Sequence, residues 1–192
     1  EIHADFARAG HVHVPYASLG ERYAKSAVVC TAPSKTFNLA GLGSSCMIIP
    51  NPELKQKIQD AYDSRWMFGP SDLAFTAMEA AYTYGDQWVD EQCAYLKGNA
   101  EMVRKFVEEK MPKVQVTVHE GTFLMWLDMT CFGKTSGELT TILAKEYGIA
   151  LGDGSHYGKQ AEGFMRLNIG CARSILQQGL DQLAKMYADY IK

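Results

Sequence analysis

The chain of 192 residues carries 19 basic against 22 acidic side chains, a formal charge of −3, and 47% of it is hydrophobic. That is enough material for one large domain or two small ones with a real core, and near-balanced charge without blocks of one sign argues against a nucleic-acid or anionic-membrane surface. No apolar run approaches the roughly 20 residues that a membrane-spanning helix needs.

Residues 1 to 5 read as the tail of a strand, and residues 6 to 25, with scattered His, Gly, Pro and Ser, as an irregular segment. Strand-like runs follow at 27–32 and 45–49; both are continuously apolar, as expected for strands covered on both faces. In "NPELKQKIQDAY" Asn51 can cap a helix, Pro52 suits its first position and Glu53 its positive end. A second helix is predicted from Ser71 to about Tyr84, ending at Gly85. From Asp86 to Lys110 the apolar positions Val89, Cys93, Leu96, Ala100, Val103 and Phe106/Val107 recur at steps of 3 and 4, which predicts one long amphipathic helix.

After Pro112, "VQVTVHEGTFLMWLDM" alternates like two strands turning near Glu120-Gly121. Thr135 to Glu138 has capping-box spacing before a helix, "GFMRLNIG" reads as a strand, and Ser174 to Gln177 has capping-box spacing before the last helix. The fold class expected is α/β: part of a buried sheet over about the first 85 residues, then an α+β unit joined to it by the long helix.

The five cysteines (Cys30, Cys46, Cys93, Cys131, Cys171) are widely spaced and contain no CxxC. They predict small buried hydrophobes in a reducing, cytoplasmic setting, with neither a disulfide frame nor a zinc site.

One stretch points to chemistry. In "AVVCTAPSKTFNLAGLG", residues 27–43, an apolar run stops at Pro33 and Lys35 follows two residues later. Charging a lysine at the end of a buried strand costs desolvation energy, so its pKa falls, and a neutral amine is a nucleophile. The competing reading is a solvated loop lysine.

"APSKTFNLAGL" resembles the lysine motif of the fold-type-I pyridoxal-phosphate (PLP) enzymes, the aminotransferase class I/II superfamily, and within it the MalY/PatB branch of cystathionine β-lyases and other C–S lyases. "EIHADF" is similar to the branch's D-E-I-H-x-D segment, "GTFLMWLD" to its small-domain strand and "EGFMRLNIGCARS" to its C-terminal arginine strand. The resemblance implies the C-terminal half of a fold-type-I enzyme. Residues 1–86 would be a remnant of the PLP-binding large domain, and 87–192 the linking helix plus a smaller α+β C-terminal domain.

By the same resemblance Lys35 is the Schiff-base lysine and proton shuttle, and Ser34 binds the cofactor phosphate. His3 hydrogen-bonds the 3′-oxygen of pyridoxal 5′-phosphate, and Arg166 clamps the α-carboxylate of an amino-acid substrate, as a bidentate guanidinium can. Thr31 is either a further cofactor contact or an ordinary strand threonine, and Asn168 supports the arginine strand. Two family features are not found: the aspartate facing the pyridine nitrogen belongs immediately before Glu1, and Gly43 stands where many aminotransferases place a phosphate-binding arginine.

The implied reaction is α,β-elimination on cystathionine or cysteine-like amino acids; transamination is the alternative. The implied assembly is a homodimer completed by a missing N-terminal half, without which the 192 residues are expected to be a poor catalyst. Two rivals remain. A C-terminal fragment that only folds or dimerises would use the apolar run Trp66, Met67 and Phe68 as an interface, unless that run is ordinary core between two helices. A metal hydrolase would use His11 and His13 with His3 nearby. "GLGSS" is not a P-loop, because the lysine precedes the glycines.

Overall fold

A computed structural model describes residues 1–7 and 10–191. The chain divides into two compact units, Glu1–Cys93 and Ala94–Lys192.

In the first unit a short helix α1 (Glu21–Lys25) precedes the strands β1 (Val29–Thr31) and β2 (Cys46–Ile48). These pair antiparallel, with Val29 opposite Ile48 and Thr31 opposite Cys46. The helices α2 (Pro52–Ser64) and α3 (Asp72–Tyr84) follow, and α4 (Asp86–Lys110) runs on into the second unit. Asn51 caps α2 by accepting from the N–H groups of Glu53 and Leu54 at 3.0 and 3.3 Å, with Pro52 at the first turn.

The second unit has a four-stranded antiparallel sheet in the order β3-β4-β6-β5. Its strands are β3 (Gln115–Val116), β4 (Leu124–Asp128), β5 (Gly152–Asp153) and β6 (Phe164–Asn168), with α5 (Ser136–Glu146) and α6 (Arg173–Tyr190) as its later helices. Alternation is clean on the central strands. Met125 and Leu127 of β4 and Met165 and Leu167 of β6 are buried, as are Leu139 and Leu143 of α5 and Leu180, Leu183 and Met186 of α6. The opposite face of the sheet brings Trp126, Arg166 and Gly152 side by side across three strands.

Several expectations are corrected. Residues 1–5 are not a strand tail: Ala4–Phe6 is a single 3-10 turn that buries Phe6. The segment 6–25 is not wholly irregular, since it holds a 3-10 turn at Tyr16–Leu19 and α1; positions 8 and 9 lie outside the described residues. β1 and β2 are not covered on both faces: Cys30, Met47 and Ile48 are exposed, as is Val28 just before β1, while Val29 is buried. No cysteine is fully buried either: Cys30 is exposed and the other four are half-buried, all as free thiols.

The run Trp66–Phe68 is not core, for Trp66 and Phe68 are 81% and 86% exposed in the turn after α2. Ser174 caps nothing. The last helix begins two residues earlier than a Ser174 cap would give, with Ala172 at its cap position, and the Arg173 N–H is satisfied by the Tyr95 hydroxyl at 2.8 Å. The other capping box forms as expected, Thr135 accepting from the Glu138 N–H at 3.2 Å while Glu138 accepts from the Thr135 N–H at 2.8 Å. No helix among the described residues is long and apolar enough to cross a membrane.

Candidate functional site

Each unit contributes one cluster. In the first, β1 runs into buried Ala32 and Pro33, and the chain then turns, placing Ser34 and Lys35 half-buried and Thr36 fully buried. The turn is closed by the Phe37 N–H donating to the Pro33 carbonyl at 3.0 Å and the Asn38 N–H to the Lys35 carbonyl at 3.3 Å, with Asn38 in the left-handed region at φ 54°. A Cβ at Gly85 would collide with the Phe37 ring, which itself stands edge-on to Tyr82 at 5.7 Å. That is why a glycine separates α3 from α4.

Thr31 engages the Tyr82 hydroxyl with its own, while partial burial still pushes the phenol above its usual range. His3 lies half-buried, its ring 6.1 Å from Phe6. Ser44, in the same β1–β2 loop as Lys35, is 5% exposed, and its hydroxyl has no hydrogen-bond partner among the described residues. Sequence reading passed over Ser44, because a serine beside glycines looks like any loop residue.

In the second unit Arg166 stands half-buried on the outer face of β6, opposite Trp126 of β4 and Gly152 of β5. Its guanidinium lies over the Tyr157 ring, 4.9 Å from the ring centre, and Trp126 meets the same ring edge-on at 5.2 Å. Gly152 leaves room for this side chain, because a Cβ there would crowd Arg166 at 3.1 Å from its Cβ and 3.2 Å from its Nε. No carboxylate pairs with this guanidinium among the described residues. A positive charge on an aromatic platform without a counter-ion is suited to an incoming carboxylate. Asn168 ties the end of the strand, accepting from the Gly170 N–H at 2.8 Å.

The remaining features offer less. A cavity of about 530 Å³ between the 147–151 segment and α6 is lined by Ile149, Leu151, Leu167, Asn168 and Cys171 among others, and by no Lys, Arg or His. His13 Nε2 lies 3.2 Å from Glu1 Oε2, and no set of three potential ligands gathers for a metal among the described residues.

A lysine amine with a neighbouring serine, and a buried unpartnered hydroxyl in the same loop, fit the aldehyde and phosphate ends of PLP; a lone guanidinium fits a substrate carboxylate. No family model matches the chain. It is 39% identical over 183 residues to the cystathionine β-lyase PatB of Bacillus subtilis, covering 95% of this chain and 47% of that protein. It is 31% identical over 181 residues to the protein MalY of Escherichia coli, covering 94% of this chain and 46% of that one. Among solved structures, cystalysin from Treponema denticola, whose crystal structure contains pyridoxal 5′-phosphate, superposes with a TM-score of 0.94 at 30% identity, over 98% of this chain and 48% of that one. The chain thus spans about half the length of the relatives it matches.

Proposed function

Because this chain belongs to the MalY/PatB branch of the fold-type-I PLP enzymes, we propose that, in a protein of its relatives' full length, it acts in a PLP-dependent C–S β-lyase. The substrate is an amino acid with sulfur at Cβ, such as cystathionine or cysteine; the products are a thiol, pyruvate and ammonia. The observation that carries this reading is the 39% identity to a cystathionine β-lyase along 95% of the chain.

In this reading residues 1–86 contribute to the cofactor-binding domain and residues 87–192 supply the linking helix and small domain. When bound, PLP supplies an electron sink for the charge that develops at the substrate Cα. Ser34 would hold the cofactor phosphate and His3 its 3′-oxygen, while Thr31 braces the strand end through Tyr82. Lys35 would hold the aldehyde end of the cofactor through Nζ.

Arg166, steadied by Tyr157 and given room by Gly152, grips the α-carboxylate with two parallel N–H donors and so orients the Cα–H bond. The freed Lys35 amine removes the Cα proton. The Cα–H electron pair becomes the Cα=Cβ bond, the Cβ–S pair leaves with sulfur as thiolate, and the released aminoacrylate hydrolyses to pyruvate and ammonia. The functional unit is a homodimer.

The test is to incubate full-length protein with cystathionine or cysteine and follow pyruvate, against a keto-acid control. Pyruvate release that needs no keto acid supports the lyase. Product that appears only with the keto acid assigns the alternative, an aminotransferase.

A further inference from the structure

Asp5 is exposed, lies outside the roles above, and yet is tied to the lysine turn. Its Oδ2 accepts from the Thr36 hydroxyl at 2.6 Å, the short length typical of a charge-assisted bond. Its backbone carbonyl in turn accepts from the Cys93 thiol of α4 at 3.2 Å. Thr36 is 1% exposed, and its own carbonyl accepts from the Trp88 indole N–H at 2.9 Å. The residue after Lys35 is therefore held from both sides, through its hydroxyl by the 3-10 turn Ala4–Phe6 and through its carbonyl by α4.

We propose that Asp5, Thr36 and Trp88 are positioning residues that latch the turn carrying Lys35 and so aim its amine at the reacting carbon. The proposal rests on the reading of Lys35 as the cofactor-holding amine. The physical need is specific. Nζ must meet first the cofactor's aldehyde carbon and then the substrate's Cα proton, and proton transfer tolerates little error in approach. A long, flexible side chain delivers that accuracy only if the backbone at its root is fixed. The turn's two internal backbone bonds are those of an ordinary turn; the latch adds a part-buried side-chain bond and an indole bond to the adjacent peptide unit.

The test uses full-length, PLP-loaded protein with Thr36→Val, Thr36→Ser, Asp5→Ala and the double variant Thr36→Val/Asp5→Ala. Three quantities are read: borohydride-fixed pyridoxyl on the Lys35 peptide, kcat and KM for pyruvate release, and amide hydrogen exchange of Phe37 and Asn38 in unloaded protein. In Thr36→Val the Lys35 peptide stays labelled, kcat falls about 10- to 100-fold with little change in KM, and the two amides exchange faster. Thr36→Ser, which keeps the hydroxyl, restores kcat and protection, and the double variant is no worse than Thr36→Val alone. Should Thr36→Val fail to fold, Asp5→Ala, which removes the same bond from the other side, carries the same prediction.

Wild-type kcat and exchange in both single variants, losses that add in the double variant, or a serine variant as impaired as the valine one overturn the latch while leaving the function intact. An unlabelled Lys35 peptide in the unsubstituted protein removes the functional reading itself, and the latch with it.

Discussion

Replacing Gly152 by alanine tests whether the sheet's outer face is built around Arg166. The added Cβ would stand 3.1 Å from Arg166 Cβ, 3.2 Å from its Nε and 3.5 Å from its carbonyl oxygen. Ordinary contact begins near 3.4 Å, so the neighbour must give by a few tenths of an ångström. Relief at Arg166 Cβ needs β5 and β6 to part slightly and relief at Nε needs the side chain to turn, and both shift the guanidinium relative to the Tyr157 ring. Overpacking of this kind costs about 1–3 kcal/mol. A carboxylate clamp displaced by a fraction of an ångström loses on the order of 10-fold in kcat/KM, given that about 1 Å of misplacement can cost roughly 100-fold. The assay is steady-state pyruvate release by full-length Gly152→Ala, with thermal unfolding alongside and Arg166→Lys as comparator. Arg166→Lys keeps the charge but loses the fork, so it should raise KM at least as much. Wild-type kcat/KM in a folded Gly152→Ala protein would refute the assignment of Arg166 as the carboxylate clamp built on that glycine.

Three further outcomes are expected. Asn99, fully buried, donates to the carbonyls of Ile169 and Cys171 at 2.8 and 3.2 Å and accepts from Arg173 Nε at 3.0 Å; Asn99→Ala should destabilise by about 3 kcal/mol in denaturant titration, because buried partners are left unpaired. Thr135→Ala removes the capping bond at the start of α5 and should cost about 1 kcal/mol by the same titration. Partial burial first, and then the Asp189 carboxylate that accepts the Tyr147 hydroxyl at 2.7 Å, push that phenol up to about 12 from 10.0. A proton held more tightly in the folded state gives stability that is complete below pH 10 and is lost as pH rises through about 12, so Tyr147→Phe should flatten the alkaline decline in melting temperature.

Much of the fold is written locally. Asn51-Pro52 and Thr135–Glu138 announce helix starts because capping needs only residues within one turn, and the 3–4 spacing from Val89 to Val107 marks α4 for the same reason. The inward alternation of Met125/Leu127 and Met165/Leu167 is equally legible. Ser174 misleads because its spacing with Gln177 is right, but the cap falls two positions upstream at Ala172, where the Tyr95 hydroxyl, 78 residues before Arg173, satisfies the helix start. The apolar runs of β1 and β2 suggest two covered faces, and in this chain Cys30, Met47 and Ile48 are exposed.

At the site, Lys35 and Arg166 stand out through motifs. What holds them does not: Thr36 with Asp5, the Phe37 ring against Gly85, and Gly152 beneath Arg166 are contacts between distant positions, and no local pattern encodes them.

The central claim is that the Lys35 amine is the covalent anchor for PLP. Full-length protein reduced with borohydride, digested and weighed tests it most directly. A phosphopyridoxyl mass on the peptide carrying Lys35, absent from Lys35→Ala, is the predicted result; an unmodified Lys35 peptide from cofactor-saturated protein would contradict it.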